Sequence, residues 1–530
     1  MSHYAHGRSL SLVISFIPHQ CPVPHDQCPM TDKSFTLYNT LTRRAEPLTP
    51  LEPGHLRFYG CGPTVYSYAH IGNFRSFLTA DLILRTAQAI GWKTTYVTNI
   101  TDVGHLTEDD FTDPSGEDRM AKALRSKEGE RFANVWDLAR YYAGALLEDW
   151  HTLNLREPDV RPRATEHIRE QIRAVEQLIE RRHAYETEQG IYFSVPSFAA
   201  YGKLSGNEAA TELEQAVRDV VVDPQKRDAR DFALWKKDPT HLMQWYSPWG
   251  WGFPGWHIEC SVMAQAYLGE EIDLHTGGED LIFPHHECEI AQAESLTGKP
   301  FARHWAHTRF LQVEGEKMSK RFDNFFTVRD LVAPESEGGR GVDPLALRLA
   351  LMAGQYRKPY NFTFATLRDS ARHVQRFQEA LAHVDRIAAE NAPGDDRIGS
   401  RLDAIYVRTL DAMLDDLNTP AAIAAALDGV KLINGMKDHL NGASARQARA
   451  WLDQVNALLG IVYHETETAT TDDETDPLAE QVEALLAERK AARQAKDFAR
   501  ADAIRDELDA LGIEVMDTPE GTKWRRKLDV

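Results

Sequence analysis

Leu56-Arg57-Phe58-Tyr59-Gly60-Cys61-Gly62-Pro63-Thr64-Val65-Tyr66, followed closely by His70-Ile71-Gly72-Asn73, is the stretch from which the fold is read. It opens as a strongly apolar run that glycine and proline then break, the pattern of a buried strand ending in a turn. Phe77, Leu78, Leu82, Leu84 and Ile90 recur at helical spacing directly after it, and Thr94 to Ile100 reads as a second strand. Strand, turn, helix and strand make the unit from which parallel sheets are built, so an α/β, Rossmann-like sheet is expected. His70–Asn73 then falls at a helix N-terminus beyond the carboxyl end of a strand. Free backbone N–H groups and the helix dipole favour phosphate there. Gly72 permits close approach of a ligand, and His70 and Asn73 offer donors to phosphate oxygens.

The rest of the chain bounds what such a sheet can serve. Its 530 residues are too many for one core and predict three or four domains, at roughly 150 residues each. No apolar run approaches the roughly 18 residues of a membrane span, so a cytosolic protein is expected. The five cysteines include no Cys-x-x-Cys pair, which points to free or metal-bound thiols and away from a disulfide framework. A net charge of −20 excludes indiscriminate binding of polyanions and leaves room only for a confined basic patch. Residues 1–29 are read as a disordered extension ahead of initiation at Met30, because the apolar run Ser9 to Ile17 lacks a following cleavage site.

Gly255 to Gln292 holds the densest chemistry. His285 and Glu289 are one helical turn apart, and a helix after Pro284 puts both on one face. Cys260 has to reach them through the fold. A thiolate, an imidazole and a carboxylate are ligand types that zinc accepts. Each also has an ordinary reading, since such a His/Glu pair is more often a helix-surface pair and Cys61 and Cys260 more often small core residues. Gly250, Gly252 and Gly255 spell G-x-G-x-x-G, which we reject as a dinucleotide fingerprint: no strand is read before it, and Trp251 and Pro254 do not suit a pyrophosphate turn.

Residues 108–247 are read as an insertion in the sheet domain, with helices near 131–153 and 164–182 and a short strand at Ile191 to Val195. Phe310 to Val313 reads as a strand leading to Lys317-Met318-Ser319-Lys320, two lysines suited to a mobile phosphate clamp or, on charge alone, to a solvated loop. From Asp343 to about Gly460 helical periodicity repeats, with Asn418-Thr419-Pro420 marking one helix start, and a helical bundle is expected. His464 to Asp476, with six acidic residues and no basic ones, is a linker. One amphipathic helix is predicted from Leu485 to Leu511. It carries Arg489, Lys490, Arg493, Lys496 and Arg500, and a short tail adds Lys523, Trp524, Arg525, Arg526 and Lys527. Cations beside an aromatic suit RNA.

In this order the pieces resemble the cysteinyl-tRNA synthetase family within the class I aminoacyl-tRNA synthetases. Cys61–Tyr66 with His70–Asn73 looks like the family's first signature, Gly255–Ser261 and Phe283–Glu289 like its second and third, and Lys317–Lys320 like its mobile lysine loop. Asn73 stands where class I enzymes often carry histidine, and Arg321 where serine is usual. The resemblance implies a cysteine–tRNA ligase that forms cysteinyl-adenylate from L-cysteine and ATP and passes the aminoacyl group to tRNA(Cys). It implies one zinc ion on Cys61, Cys260, His285 and Glu289 that takes the substrate thiolate and rejects serine, and magnesium accompanying ATP. Cys288 departs from the family, which tends to have a polar residue there, and three residues from His285 it is a competing donor. His70, Asn73, Lys317 and Lys320 are the implied catalytic residues, and Gly72, Gly278 and Asp280 join His70, Asn73 and Lys320 in holding ATP. Thr64, Thr101 and Trp256 line the amino-acid pocket.

The domain layout expected is a catalytic domain over 30–320, a connecting segment over 321–342, a bundle over 343–463, the linker over 464–476 and a C-terminal tRNA-binding domain over 477–530. The protein is expected to be a monomer with no membrane contact. The rival readings are a cysteine ligase acting on an amino sugar, which would not need the bundle and basic tail, and a non-catalytic tRNA-binding paralogue, which would have lost His70 or Lys320. A zinc deaminase is suggested by His257-x-Glu259, but lacks its Pro-Cys-x-x-Cys partner.

Overall fold

Four strands, in the order Ala302–Thr308, Ile272–Gly278, His55–Gly60 and Lys93–Thr98, form the sheet on which everything else is hung. Every neighbouring pair is parallel. This is a computed structural model, and the described residues are 33–103, 118–206, 225–318, 324–388, 397–463, 477–494, 497–511, 513–518 and 521–526. The expected N-terminal extension, the linker 464–476, Lys320, Arg321, Lys496 and Lys527 lie outside them, as do residues 104–117 around the start of the expected insertion.

The strand His55–Gly60 buries Leu56, Phe58, Tyr59 and Gly60, and Phe58 stacks on Tyr96 of the adjacent strand with ring centroids 4.4 Å apart. The helix expected after it is Ile71–Ala89, and 14 of its 19 residues are buried. Burial that nearly encircles a helix means a cover on both sides. One side lies on the sheet and the other on the helix Gly442–Leu459. The chain leaves His55–Gly60 towards Lys93–Thr98 on one side, while Ile272–Gly278 adds on the other. The crevice where strand order reverses thus opens beyond Gly60 and Gly278, the usual ligand position in an open parallel sheet.

The insertion is richer in strands than its sequence implies. The predicted strand at Ile191 to Val195 is Gly190–Phe193, one of five in an antiparallel sheet completed by Ala184–Glu186, Phe232–Lys236, Trp245–Ser247 and Gly250–Pro254. A strand, Trp245–Ser247, does precede the glycine triplet, contrary to the expectation. Gly250 and Gly252 lie in the strand Gly250–Pro254 and Gly255 caps the next helix, and a Cβ on Gly252 would lie 1.9 Å from the Lys236 carbonyl oxygen. Gly252 therefore serves close strand approach, and the pyrophosphate turn is excluded by conformation. The expected helices appear as Val135–Thr152 and Ile168–Glu180.

The bundle comprises Pro344–Leu351, Phe364–Ala388, Arg397–Leu414, Thr419–Gly435 and Gly442–Leu459, and Asn418 caps the fourth as predicted. The single C-terminal helix is corrected to two, Pro477–Gln494 and Phe498–Ala510, and the tail to a hairpin of Ile513–Thr518 with Gly521–Arg526. Asp497, which accepts from the Arg500 amide at 3.1 Å, restarts the chain as a new helix. Of the basic residues read as one RNA-facing stripe, Arg489 is buried and Arg500 is bridged by Glu488 and Glu507.

Candidate active site

Cys61 leaves the end of its strand, Cys260 sits one turn into the helix Trp256–Leu268, and His285 and Glu289 straddle the start of the helix Glu287–Thr297. Their ligand atoms all lie within 4.8 Å of one another, and all four residues are buried. Cys61 Sγ is 3.9 Å from Cys260 Sγ and 3.5 Å from Glu289 Oε1, and His285 Nε2 is 3.0 Å from the same carboxylate oxygen. Donors around a tetrahedral zinc, bonded at about 2.0–2.3 Å, stand roughly 3.4–3.8 Å apart. The cluster is close to that spacing, and its two sulfurs suit a borderline-soft ion.

Cys288 is corrected as a competitor. Successive helical residues project about 100° apart, so a cysteine next to Glu289 faces elsewhere. It lies in an apolar cluster with Ile258, Val262 and Ala291, 3.4 Å from the Tyr201 hydroxyl.

A second ring of histidines surrounds the cluster. His275 Nε2 meets Glu289 Oε2 at 2.9 Å, and His257 meets His285 at 2.8 Å. His286 contacts Cys61 at 3.4 Å and His307 at 2.8 Å, and His307 reaches the Thr40 hydroxyl at 2.7 Å. Cys61, His275, His286 and Glu289 also form a group with metal-ligand proximity. His275 and His307 were not singled out from sequence. Each lies in a strand that is buried on both faces, and a histidine inside so apolar a run is the signal that marks them.

The electrostatics follow from this crowding. A hydrogen bond from Cys61 pulls the Cys260 thiol down to about 6, while burial pushes Cys61 well up. Burial works against charge on both His285 and Glu289, yet the pair prevails. His285 is carried up to about 10 by Glu289, and Glu289 is held well below the usual carboxylate range by His275 and His285. The pocket thus already favours a thiolate and a carboxylate pointing at one spot.

Trp256 stacks on His285 with centroids 4.0 Å apart and is half-buried. Thr64 pairs with Thr101 in a short parallel bridge, and Asn99 ties the two segments by accepting from the Gly62 amide and donating to Thr101 Oγ1. His70 is the N-cap of the long helix: its Nδ1 accepts from the Asn73 amide at 3.1 Å, and the Asn73 side chain accepts from the His70 amide at 3.1 Å. Burial holds His70 down to about 4, so it is neutral. With Nδ1 accepting, the ring proton resides on Nε2.

The segment from Lys317 onward returns to this helix start. Ile71 donates to the Phe326 carbonyl at 3.0 Å, His70 bridges Thr327, and the His70 ring meets Phe325 edge-on. A Cβ on Gly72 would lie 2.9 Å from the His70 ring and 3.2 Å from Met318 Cε, so glycine is what lets the loop settle here. Lys317 is exposed, 5.7 Å from the Phe310 ring centroid. Gly278 ends its strand at the crevice, and Asp280 is exposed beside it.

Comparison with known proteins agrees with this arrangement. The model of the class I (C) tRNA synthetase catalytic domain matches residues 47–372, a DALR domain residues 409–463 and the cysteinyl-tRNA ligase anticodon-binding domain residues 475–525. A cysteine–tRNA ligase of Salinibacter ruber is 63% identical over 520 residues, covering 94% of this chain and all of that one. One of Chlorobaculum tepidum is 41% identical over 504 residues, covering 93% and 99%. Among solved structures, a leucyl-tRNA synthetase–tRNA complex of Agrobacterium radiobacter aligns with a TM-score of 0.56 at 10% identity, over 78% of this chain and 84% of that one. Mycobacterium tuberculosis methionyl-tRNA synthetase bound by methionyl-adenylate aligns at 0.51 and 13%, over 76% and 92%. A catalytic-domain match across more than half the chain, with relatives matched end to end, means that this chain belongs to the cysteine–tRNA ligase family of class I aminoacyl-tRNA synthetases.

Proposed function

We propose that the chain activates L-cysteine with ATP, releasing pyrophosphate, and esterifies the terminal ribose of tRNA(Cys), with zinc as the device that rejects serine. The observation that carries this reading is the buried convergence of Cys61, Cys260, His285 and Glu289 beside the crevice of the parallel sheet. When bound, zinc supplies a soft site for a thiolate and a poor one for a protonated hydroxyl, a distinction that an apolar pocket alone does not make against an isostere. His275 orients the site by holding Glu289 Oε2, which leaves Oε1 towards Cys61 and His285.

The adenylation chemistry falls to other residues. The cysteine carboxylate attacks the α-phosphate in line, and the groups that stabilise the growing negative charge are the His70 Nε2–H, the Asn73 amide side chain and the lysines Lys317 and Lys320. Neutral His70 donates without giving up its proton, so no protein base or nucleophile is required. Gly72 admits the phosphates, Gly278 and Asp280 hold the ribose, and Thr64, Thr101 and Trp256 close the amino-acid pocket. Magnesium accompanies ATP.

The layout we propose is catalysis over residues 30–320, the connecting segment over 321–342, the bundle over 343–463 and tRNA reading over 477–530, in a monomeric, cytoplasmic protein. None of the described helices is long and apolar enough to cross a membrane. The test is metal content of the purified chain together with pyrophosphate exchange into ATP driven by cysteine or by serine. The expected result is about one zinc per chain and exchange with cysteine only. Exchange by a metal-free chain would refute the zinc reading, and cysteine-dependent exchange without charging of tRNA would favour an amino-sugar ligase.

A further inference from the structure

The loop from Cys61 to His70 bears two tyrosines that no step above uses. Each is covered by an arginine: Arg119 lies 5.5 Å from the Tyr66 ring centroid and Arg329 lies 5.2 Å from that of Tyr68. The Tyr68 hydroxyl, two residues before the helix cap, shares a 2.6 Å hydrogen bond with the hydroxyl of Tyr141 on the helix Val135–Thr152. Tyr141 is 39% exposed, so it stands at the rim of the crevice and not inside it.

Arg131 completes the group. Its guanidinium lies 4.2 Å from the Tyr141 ring centroid and 4.7 Å from that of Phe132. It is exposed, and among the described residues it forms no ion pair with a carboxylate; the groups acting on it are the hydroxyls of Tyr68, Tyr141 and Tyr142. Arg329 differs, being held by Glu148 and Asp149. A guanidinium stacked on aromatic faces carries five edge donors, and those not turned to the tyrosine hydroxyls are left for a planar or tetrahedral anion. The neighbouring ring offers a surface on which a base can stack. On a chain of net charge −20, a cation with no carboxylate partner among the described residues selects where a polyanion is admitted.

We propose that Arg131 and Tyr141 form a nucleotide subsite for the single-stranded 3′ end of the acceptor RNA, Arg131 on a phosphodiester and Tyr141 beneath a base, with Tyr68 as the positioning residue that fixes Tyr141 relative to His70. The inference rests on the activity proposed above. A free polyphosphate, such as the tail of ATP, shares the phosphate chemistry but not the need for a stacking ring, and the two half-reactions separate the sources.

The experiment uses the full chain and the variants Arg131→Ala, Arg131→Lys, Tyr141→Ala and Tyr141→Phe. Two quantities are read: cysteine-dependent pyrophosphate exchange, and single-turnover transfer from preformed adenylate to tRNA. Transfer is expected to fall by roughly 10-fold or more in Arg131→Ala and Tyr141→Ala while exchange is unchanged. Arg131→Ala should also reduce the salt slope of RNA binding by about one. Arg131→Lys should keep that slope but transfer poorly, and Tyr141→Phe, which keeps the ring but loses the bond to Tyr68, should fall between wild type and Tyr141→Ala. Parallel loss of exchange and transfer would assign the group to ATP or to folding and overturn the proposal. Unchanged transfer in both alanine variants would overturn it too, as would a Tyr141→Phe defect equal to that of Tyr141→Ala. A wild-type chain without cysteine-dependent exchange would sink the activity reading and this inference together, and is told apart because the variants are then no worse than wild type.

Discussion

Two of the buried clusters of charged and polar side chains in this molecule are built on opposite rules. In the first, Asp81 on the long helix Ile71–Ala89 faces two guanidiniums, Arg85 at 2.8 Å and Arg348 at 2.5 Å. The remaining donors are satisfied by backbone: Arg348 on the carbonyls of Leu153, Asn154 and Leu459, and Arg85 on those of Asn154, Asn456 and Ala457. In the second, the Glu289 carboxylate meets, among the described residues, imidazoles and a thiol. Opposite charges that saturate one another make a rivet, here between the sheet domain and the end of the bundle. Thiol, imidazole and carboxylate donors that converge on one point make a ligand site, because each is a type that zinc accepts. Burial and proximity alone do not distinguish the two; the sign and type of the neighbours do.

The sharpest way to break the comparison is to remove the centre of the rivet. Asp81→Ala leaves two buried guanidiniums uncompensated and should destabilise the protein by about 3–5 kcal/mol in urea unfolding, with zinc content per folded chain unchanged. A shift below about 1 kcal/mol would mean that the cluster is not structural. Cys260→Ser should do the reverse. Zinc in elemental analysis should fall to background, the preference for cysteine over serine in pyrophosphate exchange should drop by on the order of 100-fold or more, and the unfolding midpoint of the metal-free protein should hardly move. Equal weakening of cysteine and ATP binding would count against a metal that faces the substrate.

His275→Ala probes the layer behind the ligands, and zinc affinity measured against a chelator should fall by roughly 10–100-fold while the four donors remain. An unchanged affinity would show that Glu289 needs no orienting partner. The smallest expected effect is the pH response of the rivet. Burial would raise the Asp81 pKa, but Arg85 and Arg348 take it from 3.8 down to about 2. A carboxyl lowered in the folded state contributes stability that is complete above about pH 4 and is lost as pH falls towards about 2. Asp81→Asn should flatten the acid limb of the stability curve in that window. An acid limb identical to wild type would remove Asp81 from the account.

How much of this could be read in advance differs by region for physical reasons. The strand at Leu56, the cap at His70 and the bundle start at Asn418 were legible because periodicity and capping are local. The four-donor set was named from its residue types and their resemblance to a family. The C-terminal pair of helices was misread as one because its apolar period runs through the break and only Asp497 interrupts it. In the insertion one strand was seen where the described residues hold four of the five in its sheet, since short edge strands such as Trp245–Ser247 carry too little alternation to register. The histidines at 275 and 307 went unassigned because nothing in a strand's own sequence says which neighbour lies across it.

By itself the sequence determined where this chain turns, which helices it caps and which donor types it owns, since each depends on residues within a few positions of one another. Tertiary structure alone decided that Cys61 and Cys260, 199 positions apart, come within 3.9 Å, that Cys288 is turned into an apolar cluster, and that Arg348 closes on Asp81 across 267 positions. Those outcomes follow from the order of strands in the sheet and the seating of one helix between two layers. Long-range contacts of that kind are set by the packing of whole elements, and no local pattern encodes them.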